Sequence, residues 1–165
     1  MTAPMRFFRS VHKVMPAHPA EAAALARLYS RTYAACRPDL DRRLLGDLIP
    51  PQEEVVAWFG GGFELYRTLH GDELVGAVRL SFPSGACHLD RLAVDPNVRR
   101  QGHGRALVEH AIGRARRGGA TRIWAQVSPK LEAAVELFRH TGFRESARYQ
   151  AFYWGEPVLL LELLV

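Results

Sequence analysis

The hydrophobic residues of this chain follow two different spacings, and each spacing predicts one kind of element. In the first third and again after residue 104, apolar residues recur every three or four positions, as on one face of a helix. The clearest case is the segment 104–117, where one face carries Leu107, Val108, Ala111, Ile112 and Ala115. The remaining apolar segments are short and alternating or continuous, and turn residues bound them, as in strands.

These spacings predict an ordered series of elements along the chain. Helices are predicted at 21–36, once or twice within 44–59, at 104–117, and from Leu131 to Gly142. Strands are predicted at 6–14, 63–69, 74–82, 87–94, 123–127, 143–153 and 157–165. A meander followed by alternating strands and helices is typical of a mixed sheet with helices on both faces. We therefore predict an α/β (α+β) fold with a central, mostly antiparallel sheet of about seven strands.

The length and the charge narrow the picture without deciding the function. A chain of 165 residues fits one domain, 1–165. Lysine and arginine total 22 against 17 acidic residues, a net charge of +5 that suits nucleic acid, an acidic membrane surface or a small polyanion. No apolar segment is long enough to cross a bilayer. Cys36 and Cys87 form neither a metal-binding spacing nor a disulfide framework, so we expect no metal and a reduced, cytoplasmic setting.

The stretch after the strand 87–94 has the properties of a phosphate-binding loop. An arginine-rich turn leads into a predicted helix, and the loop residues are Arg99, Arg100, Gln101, Gly102, His103, Gly104, Arg105 and Ala106. A helix N-terminus presents unpaired N–H groups and a positive dipole end to an anion. Glycine lets the backbone approach a diphosphate closely. A dinucleotide site would need a small residue in place of Leu107 and an acid after the next strand, and a P-loop would need Gly-Lys-Ser/Thr. Both are missing.

The same stretch resembles the coenzyme A-binding motif of the GNAT superfamily of N-acetyltransferases, Arg/Gln-x-x-Gly-x-Gly/Ala. Arg99, Gly102 and Gly104 match it, and the strand before it keeps Leu92-x-Val94-x-Pro96 at the family's spacing. Further on, the family's Ala-x-x-x-Tyr-x-x-x-Gly-Phe segment is matched by Ala134, Phe138, Gly142 and Phe143, with phenylalanine in place of tyrosine. The resemblance is specific from residue 85 to residue 143.

The resemblance implies that acetyl-CoA is the acyl donor and that an amine is the acceptor. It also implies a splay between the fourth and fifth strands, where the pantetheine arm inserts beside Leu92, Ala93 and Val94, with the Val94 amide polarising the thioester. The cofactor contacts then comprise these three residues, the loop 99–106, Ser128 and Phe138. Ser128 has a second explanation as a helix N-cap, because Pro129 follows it. His103 is interpreted as a variable position between the two glycines.

The catalytic groups are less clearly marked. An amine must be neutral to attack, so a base on the strand before the loop is useful. His88 and Asp90 share one face of that strand, and we predict Asp90 as the base. A salt bridge between Asp90 and Arg79 explains the same residues without catalysis.

The general acid is also uncertain, because Phe138 replaces the family's tyrosine. The Phe138 ring completes the apolar face of its helix and suits the core. We predict Tyr149 as its substitute, with Tyr153 and His140 as alternatives. A thiol with a pKa of ~8.5 can also leave without an acid.

Two other functions are compatible with these residues. The first is a coenzyme A-binding module that has lost catalysis, which the missing tyrosine would permit. The second is a nucleic-acid-binding protein that uses the basic face 99–117, but the chain has none of the recognised nucleic-acid-binding motifs. We therefore expect an amine of a small molecule or a peptide as partner, with no nucleic acid and no membrane. A homodimer is compatible with the sequence.

Overall fold

The computed structural model describes residues 12–165. Five helices and seven strands lie within this range, joined by short turns. The helices are α1 (Ala22–Ala34), α2 (Arg42–Leu48), α3 (Gln52–Trp58), α4 (His103–Arg117) and α5 (Glu132–His140). The strands are β1 (Met15–Pro16), β2 (Glu64–His70), β3 (Glu73–Ser81), β4 (Ala86–Val94), β5 (Arg122–Val127), β6 (Arg144–Tyr153) and β7 (Glu156–Leu164).

Residues 12–165 form a single seven-stranded sheet in the order β1-β2-β3-β4-β5-β7-β6. Neighbouring strands are antiparallel except β4 and β5, which are parallel because α4 connects them. The β4–β5 pairing begins at Ala86 and Arg122 and stops at His88 and Trp124. Beyond that pair the two strands diverge, so the predicted fold class and the predicted splay are both confirmed.

Helices cover both faces of the sheet and enclose two hydrophobic clusters. One cluster lies under α4 and α5 and includes Leu107, Phe138 and Leu89. The other lies under α1, α2 and α3 and includes Tyr29 and Trp58. The two clusters meet the sheet on opposite sides, so a gap between β4 and β5 connects two faces that are otherwise separated by the sheet.

A β-bulge interrupts β4 inside the splayed region. The register with β3 shifts by one residue, from the Arg79–Asp90 pair to the Ala77–Ala93 pair, and Arg91 adopts a φ of 51°. An extra residue in one strand reverses the alternation of its side chains. Leu89 therefore packs under α4 whereas Ala93 packs under α1, although an unbroken strand would place both on one face. The Tyr29 hydroxyl secures the bulge by donating to the Arg91 carbonyl oxygen at 2.8 Å.

The order of the predicted elements agrees with the structure from residue 21 onward. The uncertain segment 44–59 contains two helices separated at Pro50 and Pro51, because proline interrupts a helix. The strand predicted at 6–14 falls largely on residues outside the described range, and the short strand β1 begins only at Met15. Among residues 12–165 there is no helix whose length and apolar character would suit it to span a membrane.

Candidate functional site

The loop between β4 and α4 presents a series of unpaired backbone N–H groups. Within the described part of the chain, none of the amides from Arg99 to Arg105 has a protein acceptor. The Ala106 amide donates to the Gly102 carbonyl oxygen at 3.0 Å and closes the first turn of α4. The Ala106 amide is therefore already bonded within the helix, and its buried side chain faces the core, so the predicted cofactor contact at Ala106 has little support. Free amides at a helix N-terminus form a site for phosphate oxygens.

The two glycines of the loop serve different purposes. Gly102 has a φ of 90°, a left-handed conformation that glycine adopts without strain. Gly104 has no such requirement, but a Cβ there would lie 3.0 Å from Leu137 Cδ2 and 3.5 Å from Val94 Cγ2. Gly104 thus allows α4 to pack closely against β4 and α5, in addition to keeping the N-terminal turn open.

The side chains of the loop divide into exposed cations and buried anchors. Arg99 and Arg100 are exposed and form no ion pair with any residue in the range 12–165, so both are available to an anion. Arg105 is exposed too and pairs with Glu109. His103 is only 1 % exposed, and its Nδ1 lies 3.1 Å from Thr68 Oγ1. The sequence favours a variable position here, but the His103 ring anchors the start of α4 to β2, and only the His103 backbone can reach a ligand.

The splay exposes the main chain of β4 on the side where β5 has left it. Asp95 N–H donates to the Val75 carbonyl oxygen at 2.8 Å, which makes that pair hydrogen-bonded. Hydrogen-bonded and non-hydrogen-bonded pairs alternate in an antiparallel ladder. The Val94 N–H, one position earlier, therefore points away from β3 and toward the gap. It is positioned to donate to a ligand there.

A cavity of about 340 Å³ occupies the splay and reaches both faces of the sheet. On the α5 side it is lined by Leu92, Ser128 and Phe138, three of the residues that the family resemblance assigns to the cofactor. On the α1 side it is lined by α2, by His88 and Asp90 of β4, and by the β6–β7 hairpin. Ala93 does not line it, because the bulge turns this side chain under α1. The cavity thus lies between β4 and β5 with walls on the α5 side and on the α2 side of the sheet.

Ser128 is not the N-cap of α5, because that helix begins at Glu132 with Leu131 in the N-cap position. Its Oγ instead accepts the Lys130 N–H at 3.3 Å and stabilises the turn that precedes the helix. The N-cap explanation is therefore wrong. Phe138 is 2 % exposed and packs edge-on against Phe143 with ring centres 5.0 Å apart, which confirms its core role beside the cavity.

His88 lies at the last pair of the parallel ladder, where the strands begin to separate. Its ring stacks on Trp124 with centroids 3.9 Å apart. Burial lowers the pKa of His88 below its ordinary value of 6.5, and Asp90 offsets this only in part. Within residues 12–165 neither ring nitrogen has a hydrogen-bond partner. His88 is therefore a neutral imidazole on the cavity wall, with a lone pair free to accept a proton.

Asp90 lines the same cavity, but its carboxylate is occupied. Both oxygens accept hydrogen bonds from Arg79, from Nε at 2.8 Å and from the terminal nitrogen at 2.6 Å. Arg79 is itself buried and lies over the rings of Trp58 and Phe63. This bidentate pair holds β3 and β4 together beneath α3. The geometry favours the salt-bridge explanation of Asp90 over the predicted role as base.

Replacing Asp90 by asparagine should mainly destabilise the protein. Removing one partner of a fully buried ion pair costs ~3–5 kcal/mol, and partial exposure of Asp90 reduces the expected loss here to about 2–3 kcal/mol. Chemical denaturation measures this loss, and turnover per folded molecule measures catalysis. A loss of turnover of about 100-fold or more with unchanged stability would instead restore Asp90 as the base.

The hairpin between β6 and β7 places one tyrosine in the cavity and another outside it. Tyr149 is 45 % exposed, packs on Phe152 and does not line the cavity. Tyr153 lines it, and its hydroxyl donates to Gln126 Oε1 on β5 at 2.7 Å. The alternative named for the proton donor, Tyr153, is therefore closer to the gap than the predicted Tyr149.

Two cavity residues, Gln126 and Asp47, carry no motif that sequence reasoning could use. Gln126 accepts a hydrogen bond from the Tyr153 hydroxyl, and Asp47 accepts one from the Trp154 indole at 2.7 Å. Trp154 also lies under the Arg43 guanidinium, 5.0 Å from the ring centre. The hairpin is thereby joined to α2 across the mouth of the cavity. Within residues 12–165 no cluster of three metal-binding side chains is present.

Comparison with known proteins identifies the family. Residues 22–143 match the Acetyltransferase (GNAT) family. The chain is 38 % identical over 65 residues to the [ribosomal protein bS18]-alanine N-acetyltransferase of Escherichia coli strain K12. That segment covers 39 % of this chain and 44 % of the relative, so the match spans less than half the relative's length. This chain is also 36 % identical over 92 residues to the peptidyl-lysine N-acetyltransferase YjaB of the same strain, and this match covers 56 % of each protein.

The solved structures agree on the fold. The PaiA N-acetyltransferase of Thermoplasma acidophilum, solved in complex with coenzyme A, superposes with a TM-score of 0.77 over 93 % of this chain and 99 % of that one, at 12 % identity. The family match covers well over half of the chain and contains the loop, the splay and the cavity wall apart from the β6–β7 hairpin. The chain therefore belongs to the GNAT family of acetyltransferases.

Proposed function

We propose that this protein transfers an acetyl group from acetyl-CoA to a primary amine by direct attack of the amine on the thioester. The observation that carries the proposal is the cavity through the splay. Among residues 12–165, seven consecutive amides without an acceptor and two arginines without an ion pair lie on one side, and a neutral histidine lies on the other. A diphosphate and an amine would thus meet the protein on opposite faces, connected through one gap.

The residues of the loop and of β4 fit coenzyme A. The amides from Arg99 to Arg105 would hold the diphosphate, supported by the charges of Arg99 and Arg100. The splayed edge of β4 would bind the pantetheine arm through its main chain, as an added strand does. When bound, acetyl-CoA supplies the acyl group. The Val94 N–H is oriented to donate to an oxygen that gains negative charge during transfer.

His88 is the proton acceptor in this proposal, in place of the predicted Asp90. An amine with a pKa near 10 is largely protonated at neutral pH, so the site must remove a proton before attack. His88 is uncharged there and exposes its ring nitrogens to the cavity, whereas both Asp90 oxygens are bound to Arg79. Tyr153 replaces Tyr149 as the candidate proton donor, because only Tyr153 lines the cavity.

The alternative is a coenzyme A-binding module without turnover. Phe138 supports this alternative, since its buried ring cannot donate a proton. The His88 imidazole, which has no hydrogen-bond partner among residues 12–165, argues against it, because a binding module has no need of a base at the acceptor side.

A thiol-release assay separates the two. The purified chain is incubated with acetyl-CoA and a panel of amines that includes arylalkylamines, aminoalcohols, polyamines and peptides with a free N-terminus. Acetyl transfer to at least one class, verified by the mass of the product, is the expected result. Calorimetric binding of coenzyme A together with no acetylated product from any class would support the binding module.

A further inference from the structure

The acceptor side of the cavity is mostly apolar. Its wall on the helical side consists of Leu40, Leu44 and Leu48 together with the buried ring of Tyr33. Across from them lie Pro157 and Val158 at the start of β7. Burial raises the pKa of Tyr33 to about 12, so its phenol stays uncharged across the physiological range. An occupant of this half of the cavity therefore meets carbon on most sides.

Two of the three charged groups on this wall are already held by other parts of the protein, and the third, Asp47, lies exposed at its rim. Asp90 is bound to Arg79, and Arg91 donates to the carbonyl oxygens of Asp47 and Leu48. The Asp47 carboxylate accepts the Trp154 indole at the rim. Beyond the amine nitrogen, which would face His88, a second charged group deep in the cavity would lose its water without meeting an unpaired charge among residues 12–165, which is unfavourable. An apolar skeleton has no such desolvation cost, and burying its surface is favourable.

The β6–β7 hairpin limits the size of the occupant. Trp154 adopts a φ of 53° and Gly155 a φ of 79°, a tight turn that brings the indole over the cavity mouth to Asp47. Next to Trp154 in the hairpin, the Tyr153 hydroxyl donates a hydrogen bond to Gln126 on β5. The total volume of about 340 Å³ must hold both the acyl end of the donor and the reacting part of the acceptor. That volume lies at the low end of ligand sites, which span ~300–1,000 Å³.

We infer that the acceptor is a small primary amine carried on an apolar aliphatic or aromatic skeleton, held between α2 and the β6–β7 hairpin with its nitrogen toward His88. This inference rests on the proposed acetyl transfer and adds the substrate class. Polyamines, aminoalcohols and peptide N-termini lack the apolar body that this wall selects.

The test compares primary amines that differ in their apolar part, with ethanolamine as the comparator of equal charge. 2-Phenylethylamine and hexylamine are matched against ethanolamine, putrescine and a tripeptide with N-terminal alanine, all with saturating acetyl-CoA. Burying one phenyl or alkyl group corresponds to a gain of about tenfold to 100-fold, so kcat/KM for the apolar pair should exceed that of the polar amines by at least about tenfold. Equal values, or a preference for the peptide or putrescine, would overturn the inference while leaving acetyl transfer intact.

A pair of variants shows where the preference arises. Leu48→Gln places an amide on the cavity wall, and Val56→Gln makes the same change on α3 at a half-exposed position outside the cavity. Leu48→Gln should reduce the ratio of apolar to polar kcat/KM by about fivefold or more, with the KM for acetyl-CoA unchanged, because about one side chain's apolar contact is lost. Val56→Gln should leave the ratio as it is. A ratio unaffected by Leu48→Gln would exclude this wall as the selector.

Binding distinguishes failure of the inference from failure of acetyl transfer. If no amine is acetylated, the same amines are titrated calorimetrically into the unmodified protein saturated with coenzyme A. Affinity for 2-phenylethylamine at least about tenfold above that for ethanolamine supports the apolar acceptor site even without turnover. Equal affinities overturn it. Absence of coenzyme A binding overturns the proposed function itself.

Discussion

Replacing Gly104 by aspartate is expected to weaken coenzyme A binding by about 100-fold or more. The new carboxylate would stand in the first turn of α4, where it can accept the free amides itself and repel a diphosphate. Losing two hydrogen bonds to a charged group, each worth ~1.5–3 kcal/mol, accounts for this factor. Isothermal titration calorimetry with coenzyme A measures the loss.

Two further variants test whether the effect of Gly104→Asp comes from a charge at this position. Gly104→Ala isolates the packing of the added Cβ, and Gly113→Asp isolates the change in the net charge of the protein. Gly104→Ala introduces the same Cβ, 3.0 Å from Leu137 Cδ2, without the anion, so it should lower thermal stability but weaken binding by less than about tenfold. Gly113→Asp adds an equal charge farther along α4, where a Cβ meets only the flexible end of Arg117. Binding by Gly113→Asp should match the unmodified chain. An affinity of Gly104→Asp within a few-fold of the unmodified protein would rule out the loop as the diphosphate site.

Replacing His88 by asparagine should lower kcat/KM by about 100-fold to 10⁴-fold, the usual contribution of a general base. The asparagine retains a polar planar side chain against Trp124 but has no basic nitrogen. Coenzyme A affinity should stay nearly unchanged, because His88 lies on the acceptor side of the splay. His140→Asn, at a side chain 71 % exposed on α5, is the matched control and should retain full activity.

The pH profile offers an independent measure of the same group. A base works only when it is unprotonated, and burial lowers the pKa of His88 from 6.5. Activity of the unmodified protein should therefore be retained as pH falls toward 6.5 and decline below it, after correction for ionisation of the amine. His88→Asn should lack this acid limb. An acid limb that persists in the variant at full rate would assign proton removal to another group or to water.

The salt bridge between Arg79 and Asp90 shows why the choice of base needed the fold. In the sequence, His88 and Asp90 are equivalent, since they alternate on the same face of one strand. Only the pairing of β3 with β4 brings Arg79 opposite Asp90, and only the packing of α3 buries the guanidinium against Trp58. The same reasoning applies to Tyr149 and Tyr153, whose positions relative to the cavity depend on an irregular register between β6 and β7.

The sequence by itself determined the local features, because short-range geometry dictates them. A phosphate site at the N-terminus of α4 can be predicted from three local features. They are the apolar spacing of that helix, the glycines at its start and the surplus of arginine. The splay followed from the family resemblance rather than from periodicity. These features depend on neighbours in the chain or on a motif of fixed spacing, so they can be recognised without coordinates.

Tertiary structure alone decided which side chains share the cavity and which are occupied by other protein groups. The bulge at Arg91 turns Ala93 away from the cofactor side, the Gly102 carbonyl engages the Ala106 amide, and Trp154 reaches Asp47 from more than 100 residues away in the chain. Each outcome is a contact between segments distant in sequence, or a one-residue change of register that reverses the direction of every following side chain. No local pattern encodes such contacts, because their free energy arises only when the strands and helices are packed together.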